Sequence, residues 1–224
     1  MAKKFSAVAV ILIVALVSAF FAGCNLIPTS GTASQSQNQT GDFSETTPAT
    51  SGGAATLDTA EVTHYVTIEI ENYGTMKGEL YGKTAPITVE NFVTLAQSGF
   101  YDGLTFHRII EGFMMQGGAP NSSSPSVAPI KGEFSANGIE NNLLHEPGVL
   151  SMARTSVMDS ATSQFFIMHE KYPSLDGKYA AFGRITEGLD IIDRICTEAQ
   201  PIDGNGSIAT AKQPVIKSIT VTQA

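Results

Sequence analysis

Two stretches of the chain gather side chains that could handle a ligand: Phe106-His107-Arg108-Ile109-Ile110-Glu111-Gly112-Phe113-Met114-Met115-Gln116-Gly117-Gly118, and Leu150-Ser151-Met152-Ala153-Arg154 with Ser163-Gln164-Phe165-Phe166-Ile167. They supply a cation at Arg108, amides at Gln116 and Gln164, and several large apolar groups. Read as strands, Phe106, Arg108 and Ile110 share one face with His107 and Ile109 opposite, while Gln164 and Phe166 lie on a common face. An arginine among aromatic rings has plainer readings, a cation stacked on a ring or a surface ion pair. Pattern alone leaves these level with a role in chemistry. No Gly-x-Ser-x-Gly elbow, phosphate-binding glycine loop or paired-histidine site occurs, so covalent catalysis has no evident nucleophile. Gly117-Gly118 reads as a tight turn, since neither a Lys-Ser/Thr pair nor a helix start follows it. The Asn121-Ser122-Ser123 match to a glycosylation acceptor carries no weight.

The 224 residues include 13 Lys and Arg against 21 Asp and Glu, a formal net charge of −8. No basic footprint exists for a phosphate backbone, which excludes nucleic acid as a partner. The four histidines (His64, His107, His145, His169) lack chelating spacings, and two cysteines make no disulfide framework. No metal and no cofactor are expected.

The positioning elements lie in the last three quarters of the chain. Residues 1–23 read as a signal peptide: two lysines, then an apolar and small-residue run from Phe5 to Gly23. The run is about the 20 residues that cross a bilayer, so an uncleaved signal anchor is the alternative. Phe21-Ala22-Gly23-Cys24 resembles a bacterial lipobox, with Phe21 in place of the usual Leu, and favours cleavage and lipidation at Cys24. Several acyl chains would then anchor the protein extracytoplasmically on the cell membrane, each buried methylene adding about 0.8 kcal/mol. Residues 24–60, rich in Ser, Thr, Gln, Ala and Gly without Lys or Arg, read as a disordered tether.

Residues 61–224 read as one domain. Val66, Ile68 and Ile70 alternate with Thr67, Glu69 and Glu71; Asn72-Tyr73-Gly74 turns the chain; Met76, Gly78 and Leu80 complete a hairpin. A helix starts near Pro86, buries Val89, Phe92, Val93 and Ala96, and stops at Gly99. Short apolar segments at 105–109, 113–116, 149–152, 165–168 and 180–183 read as strands. A second helix spans about 187–196 with Leu189, Ile192 and Cys196 inward, and Val215, Ile219 and Val221 mark a last strand. Many short strands with two helices suggest a closed antiparallel barrel with helical caps. Residues 119–147 read as a long loop whose role the pattern does not reveal.

FHRIIEGFMMQGG, SQFFI and LDGKYAAFG, in this order and spacing, resemble the cyclophilin family of peptidyl-prolyl cis/trans isomerases, as do VTIEIENYGTMKGELY, APITVENFVTLAQSGFYDGLTFHR and EGLDIID. The similarity runs from about residue 62 to 223. It implies a mainly β fold, a closed eight-stranded antiparallel β-barrel capped by two α-helices, acting as a monomer on proline-containing unfolded or exported polypeptides. By position, Arg108 matches the catalytic arginine. Phe113, Met114, Phe166 and Leu175 match the walls of the proline pocket, and Gln116 the amide beside the arginine. Ala153, Arg154 and Gln164 fall on the rim that holds the substrate backbone. Three departures stand out: Ser174 where many eukaryotic members carry a tryptophan, Tyr179 for a histidine at the pocket edge, and Arg154 where Asn is common. Without the indole, cyclosporin-type inhibitors are expected to bind more weakly.

The resemblance suits the residues. An Xaa-Pro bond rotates over a barrier of about 18–20 kcal/mol because amide resonance is lost. A groove that seats the proline ring while Arg108 donates to the twisted amide binds the transition state better than either planar state. Gln116 is then expected to orient Arg108. His107 reads as structural, since rotation needs no proton transfer. The competing readings are a non-catalytic proline-peptide-binding chaperone module and an adhesin using the 119–147 loop.

Overall fold

A computed structural model describes residues 59–224; the signal peptide, Cys24 and nearly all of the expected tether lie outside the described residues. The alternation in β1 (His64–Ile70) and β2 (Gly74–Leu80) becomes a hairpin with Val66, Ile68, Ile70, Met76 and Leu80 buried. Asn72 takes the left-handed conformation (φ 63°) at its turn. Helix α1 (Pro86–Gln97) follows, with Thr88, Val89, Phe92 and Ala96 buried and Val93 half-buried. Its own N-cap residue, Ala85, offers no side-chain acceptor. The carboxylate of Glu133, buried in the 119–147 loop, accepts hydrogen bonds from the N–H groups of Ile87 and Thr88 at 3.0 and 2.7 Å. A carboxylate there satisfies two orphan donors and meets the positive end of the helix. That loop therefore has a structural task.

Strands β3 (Phe106–Ile110), β4 (Met114–Gly117), β5 (Val149–Met152), β6 (Phe165–Met168) and β7 (Ala181–Glu187) precede α2 (Leu189–Glu198) and β8 (Ile216–Gln223). All eight strands form one antiparallel sheet in the order β3-β4-β6-β5-β7-β2-β1-β8. The sheet curls but does not close, correcting the expectation of a closed barrel. Its ends meet only at a short seam, where Gly103 and Phe106 donate to Ile216 O and Pro214 O and Ile216 donates to Leu104 O. Beyond Phe106 the edge of β3 pairs instead with the 206–208 segment: Ile109 N donates to Gly206 O, and Ile208 N to His107 O. With that edge already taken, no ladder can run from β3 to β8. The result is an open half-barrel.

Two apolar layers flank the sheet. The larger contains the aromatic knot of Phe92, Tyr101, Phe106, Phe165 and Phe182, with ring pairs such as Phe92–Phe165 edge-to-face at 5.4 Å. Helix α1 packs on β8, and α2 on β2 and β4. The second, smaller layer on the opposite face contains Met114, Val149, Phe166 and Met168 under Leu143 and Leu175. Alternation is thus preserved in β6, with Phe165 and Ile167 facing one layer and Phe166 and Met168 the other, although all four side chains are buried. Helix α2 begins two residues later than its pattern suggests because Gly188, at φ 86°, forms its N-cap. Its buried side chains are Ile191, Ile192, Ile195 and Cys196, while Leu189 is exposed.

Candidate active site

The site lies on the smaller layer. Direct cross-strand pairing puts Arg108 (β3) opposite Gln116 (β4), Gln116 opposite Phe166 (β6), and Phe166 opposite Ser151 (β5), a row of four residues across four strands. A β-bulge makes this possible. The register shifts between Phe106 and Arg108, so His107 is an extra residue in β3. Phe106 and Ile109 consequently both enter the main core, while Arg108 and Ile110 turn to the other face. The simple alternation expected from the sequence, with Phe106 beside Arg108, is corrected by that one residue. His107 is half-buried, its Nδ1 without a hydrogen-bond partner among the described residues. Burial and then the charge of Arg108 lower its proton affinity, so the neutral ring is favoured.

Phe113, Met114, Phe166 and Leu175, with Arg108, Gln116, Ala153, Arg154 and Tyr179, line a cavity of ≈ 170 Å³. This is well below the about 300–1,000 Å³ of pockets for drug-sized ligands, and suits one side chain or ring of a larger molecule. Among the described residues, Gln164 is the one expected groove residue outside the lining. Its Oε1 accepts from Gln116 Nε2 at 3.0 Å, fixing the orientation of that amide. Gln116 Oε1 then accepts from Arg108 Nη1 at 3.4 Å. The shorter contact to the guanidinium comes from elsewhere: Arg108 Nε donates to the backbone oxygen of Asn205 at 2.7 Å. Arg108 Cζ also lies 5.9 Å from the centroid of Phe113. Burial lowers the proton affinity of Arg108, with Tyr179 and Asp203 opposing, and a guanidinium keeps its charge at physiological pH regardless.

The rim is tied down by Arg154. Its Nε and Nη2 donate to Lys178 O at 3.1 and 2.8 Å and its Nη1 to Thr155 O at 2.9 Å, with the guanidinium between the rings of Phe134 (4.9 Å) and Tyr179 (4.6 Å). Tyr179 in turn meets Phe166 edge-on at 5.9 Å. Behind Phe166, the ring of buried His145 stacks at 5.9 Å, with Nδ1 2.9 Å from Asp176 Oδ1 and Nε2 3.0 Å from Ser151 Oγ.

Sequence reasoning missed Asn205, His145, Ser151 and Asp176 as parts of this arrangement. Asp203-Gly204-Asn205-Gly206 is a plain turn signal, but nothing in it says which strand the turn will meet. No group of three or more His, Cys, Asp or Glu side chains among the described residues is placed to hold a metal ion.

A guanidinium held beside a ring-sized apolar pocket on an open sheet makes a groove that can seat one ring of a larger molecule and donate hydrogen bonds to it. Comparison with known proteins places that groove in a family. Residues 65–221 match the model of the cyclophilin type peptidyl-prolyl cis-trans isomerase/CLD family. The chain is similar to peptidyl-prolyl cis-trans isomerase B of Bacillus subtilis, 45% identical over 121 residues that cover 54% of this chain and 82% of that protein. A Helicobacter pylori peptidyl-prolyl cis-trans isomerase is 44% identical over 137 residues, 59% of this chain and 80% of that one. Among solved structures, a Cryptosporidium parvum cyclophilin type peptidyl-prolyl cis-trans isomerase superposes with a TM-score of 0.61 at 28% identity, covering 72% of this chain and 99% of that one. A second structure of it was determined in the presence of the dipeptide Ala-Pro (TM-score 0.58, 29% identity, covering 71% and 99%). The chain belongs to the cyclophilin-type peptidyl-prolyl cis-trans isomerase family.

Proposed function

We propose that the chain carries out its family's reaction, cis/trans isomerisation of Xaa-Pro bonds, on exported polypeptides while anchored to the outer face of the cell membrane through Cys24. It is a peptidyl-prolyl cis/trans isomerase by family, and on this reading it acts as a monomer at that surface. The observation that carries the mechanism is Arg108, gripped through Nε by Asn205 O at 2.7 Å beside the 170 Å³ pocket. A proline ring seated on Phe113, Met114, Phe166 and Leu175 is held while the preceding carbonyl turns. As the amide twists, its nitrogen regains a lone pair, and the guanidinium edge not engaged by Asn205 donates to it or to the adjacent carbonyl. Because Arg108 is already oriented, little reorganisation is needed at the transition state. Gln116, held by Gln164, presents a fixed amide to the substrate backbone.

NMR exchange spectroscopy on a short Xaa-Pro peptide tests this. Wild type should accelerate exchange, and a folded Arg108→Ala variant should lose about 10²–10³-fold in kcat/KM, the effect of removing one preorganised donor. Peptide binding without accelerated exchange would instead make the groove a recognition site. For the anchor, a palmitate analogue should label wild type and not Cys24→Ser; an unlabelled yet membrane-bound wild type would indicate a signal anchor.

A further inference from the structure

The turn that carries Phe113 is held by a side chain outside the pocket. Residues 110–113 form a β-turn, closed by Phe113 N donating to Ile110 O at 3.0 Å, with Gly112 at φ 74° in its third position. That closure leaves the Gly112 N–H without a partner inside the turn. It donates instead to Nδ1 of His169, at 2.9 Å, from just beyond the end of β6. The same ring places Nε2 3.2 Å from Asp193 Oδ1 on α2, and the side chain is only 9% exposed. The backbone N–H of His169 also donates to Phe113 O at 3.0 Å. One residue thus grips the turn twice and ties it to α2.

The geometry fixes the tautomer. A backbone N–H can only donate, so Nδ1 must carry its lone pair and Nε2 its proton, which then points at Asp193. We propose that His169 is a positioning residue of the active site: in its neutral, Nε2-protonated form it sets the Gly112–Phe113 turn and with it the pocket wall beside Arg108, and a proton on Nδ1 releases that turn. Protonation sets N–H against N–H at 2.9 Å, so the Gly112 contact must open. This rests on the groove being the catalytic one. The charged groups around the ring are Asp193 and Asp190 on α2, Glu170 next in sequence and Glu111 in the turn itself. All four are acidic.

The test uses His169→Asn and His169→Ala in the full chain, with kcat/KM for an Xaa-Pro peptide measured from about pH 5 to 8, where histidine changes charge. An asparagine Oδ1 can occupy the place of Nδ1 and accept from Gly112 without titrating. His169→Asn should therefore match wild type at the alkaline end and lack an acid-side fall that wild type shows. His169→Ala should lie about fivefold below the alkaline wild-type value at every pH, the size of one lost hydrogen bond and mostly in KM, so that wild type approaches it at the acid end. The Gly112 amide resonance of wild type should move with the titration of the His169 ring and stay still in His169→Asn. Parallel acid-side falls in wild type and His169→Asn, or a Gly112 amide indifferent to the His169 titration, would overturn the proposal, and both readouts survive if His169→Ala does not fold. Absence of exchange catalysis in wild type at all pH values, with the Gly112 amide still following His169, would instead count against the catalytic reading of the groove.

Discussion

Replacing Asp203, which lies outside the pocket, should impair catalysis through the backbone of its loop. Asp203 Oδ1 accepts from the N–H groups of Asn205 and Ser207 at 2.9 and 3.0 Å, shaping the turn whose Asn205 carbonyl holds Arg108. These bonds also keep the Asp203 carboxyl below its ordinary pKa, the backbone bond from Ser207 foremost. The Arg108–Asn205 bond is a short hydrogen bond from a charged donor to a carbonyl oxygen, a type that contributes about 1.5–3 kcal/mol, so its complete loss would lower the rate by about 10- to 150-fold. The loop retains its backbone bonds to His107 and Ile109, so only part of that is lost. Asp203→Ala should reduce kcat/KM by about 5- to 20-fold, mainly in kcat, while Asp203→Asn, which keeps an oxygen acceptor, should stay within about threefold. Gln116→Ala makes the comparison sharper. At 3.4 Å its contact with Arg108 lies beyond the usual N–H···O range, so if Gln116 acted only by orienting Arg108 its loss would be smaller than that of Asp203→Ala. Exchange NMR on one peptide measures all three. Activity of Asp203→Ala within twofold of wild type would refute the view that Asn205 positions the guanidinium.

Stability should depend on pH through His145. Burial lowers its proton affinity, with Asp176 opposing, so the unfolded chain binds that proton more readily; stability is full above the ordinary histidine value of about 6.5 and declines as pH falls below it. Thermal unfolding from about pH 8 to 5 should show the decline, and Ser151→Ala, which leaves His145 Nε2 without its partner, should cost about 1–3 kcal/mol at neutral pH; a midpoint flat across that range would contradict the assignment. Arg154→Ala should free Tyr179 and the Lys178 carbonyl, raising KM severalfold with a stability loss of about 1–2 kcal/mol; peptide titration and denaturant unfolding would detect both, and an unchanged KM would show that the clamp is irrelevant to the rim.

Sequence reading was strongest where burial is one-sided and the period regular. Val66, Ile68 and Ile70 faced the core as their alternation indicates, and Pro86 and Gly99 bounded α1. It failed where one residue resets a period or a distant segment intervenes. The bulge at His107 leaves no mark in a window of alternating apolar residues, yet it decides which face receives Arg108. Strand β7 continues to Glu187, past its apolar stretch, because it pairs with β2 at Lys77, where an exposed ion pair of 2.8 Å joins the two strands. The strand count suggests closure because the segment that occupies the β3 edge, residues 206–208, reads in sequence as the end of a turn. The pocket walls were legible only through motif resemblance. Their supports, Asn205 O and the Glu133 cap of α1, act across 97 and 45 residues of sequence and have no local signature.

Asp176, His145 and Ser151 are connected in the order of a hydrolase triad, carboxylate to Nδ1 and Nε2 to hydroxyl, at 2.9 and 3.0 Å. Access decides against that chemistry. Ser151 is 0% exposed and His145 1%, so no carbonyl can approach the hydroxyl, and the cavity wall above them is the ring of Phe166. What the chain of bonds can do from there is hold that ring from behind. Its hydrogen bonds satisfy two buried polar side chains, His145 and Ser151, with the partly exposed Asp176 as the outer partner, and the imidazole stacks nearly parallel to Phe166, at 17°. A pocket that binds a twisted amide better than a planar one gains from walls that do not yield, because a floor free to relax would accommodate planar and twisted states alike. The same argument applies to Arg108 on Asn205, Tyr179 under Arg154 and Gln116 on Gln164. For Arg108 and Phe166 the partners, Asn205 and His145, lie outside the cavity lining, so a pocket of this kind depends as much on supports away from the substrate as on the walls that touch it.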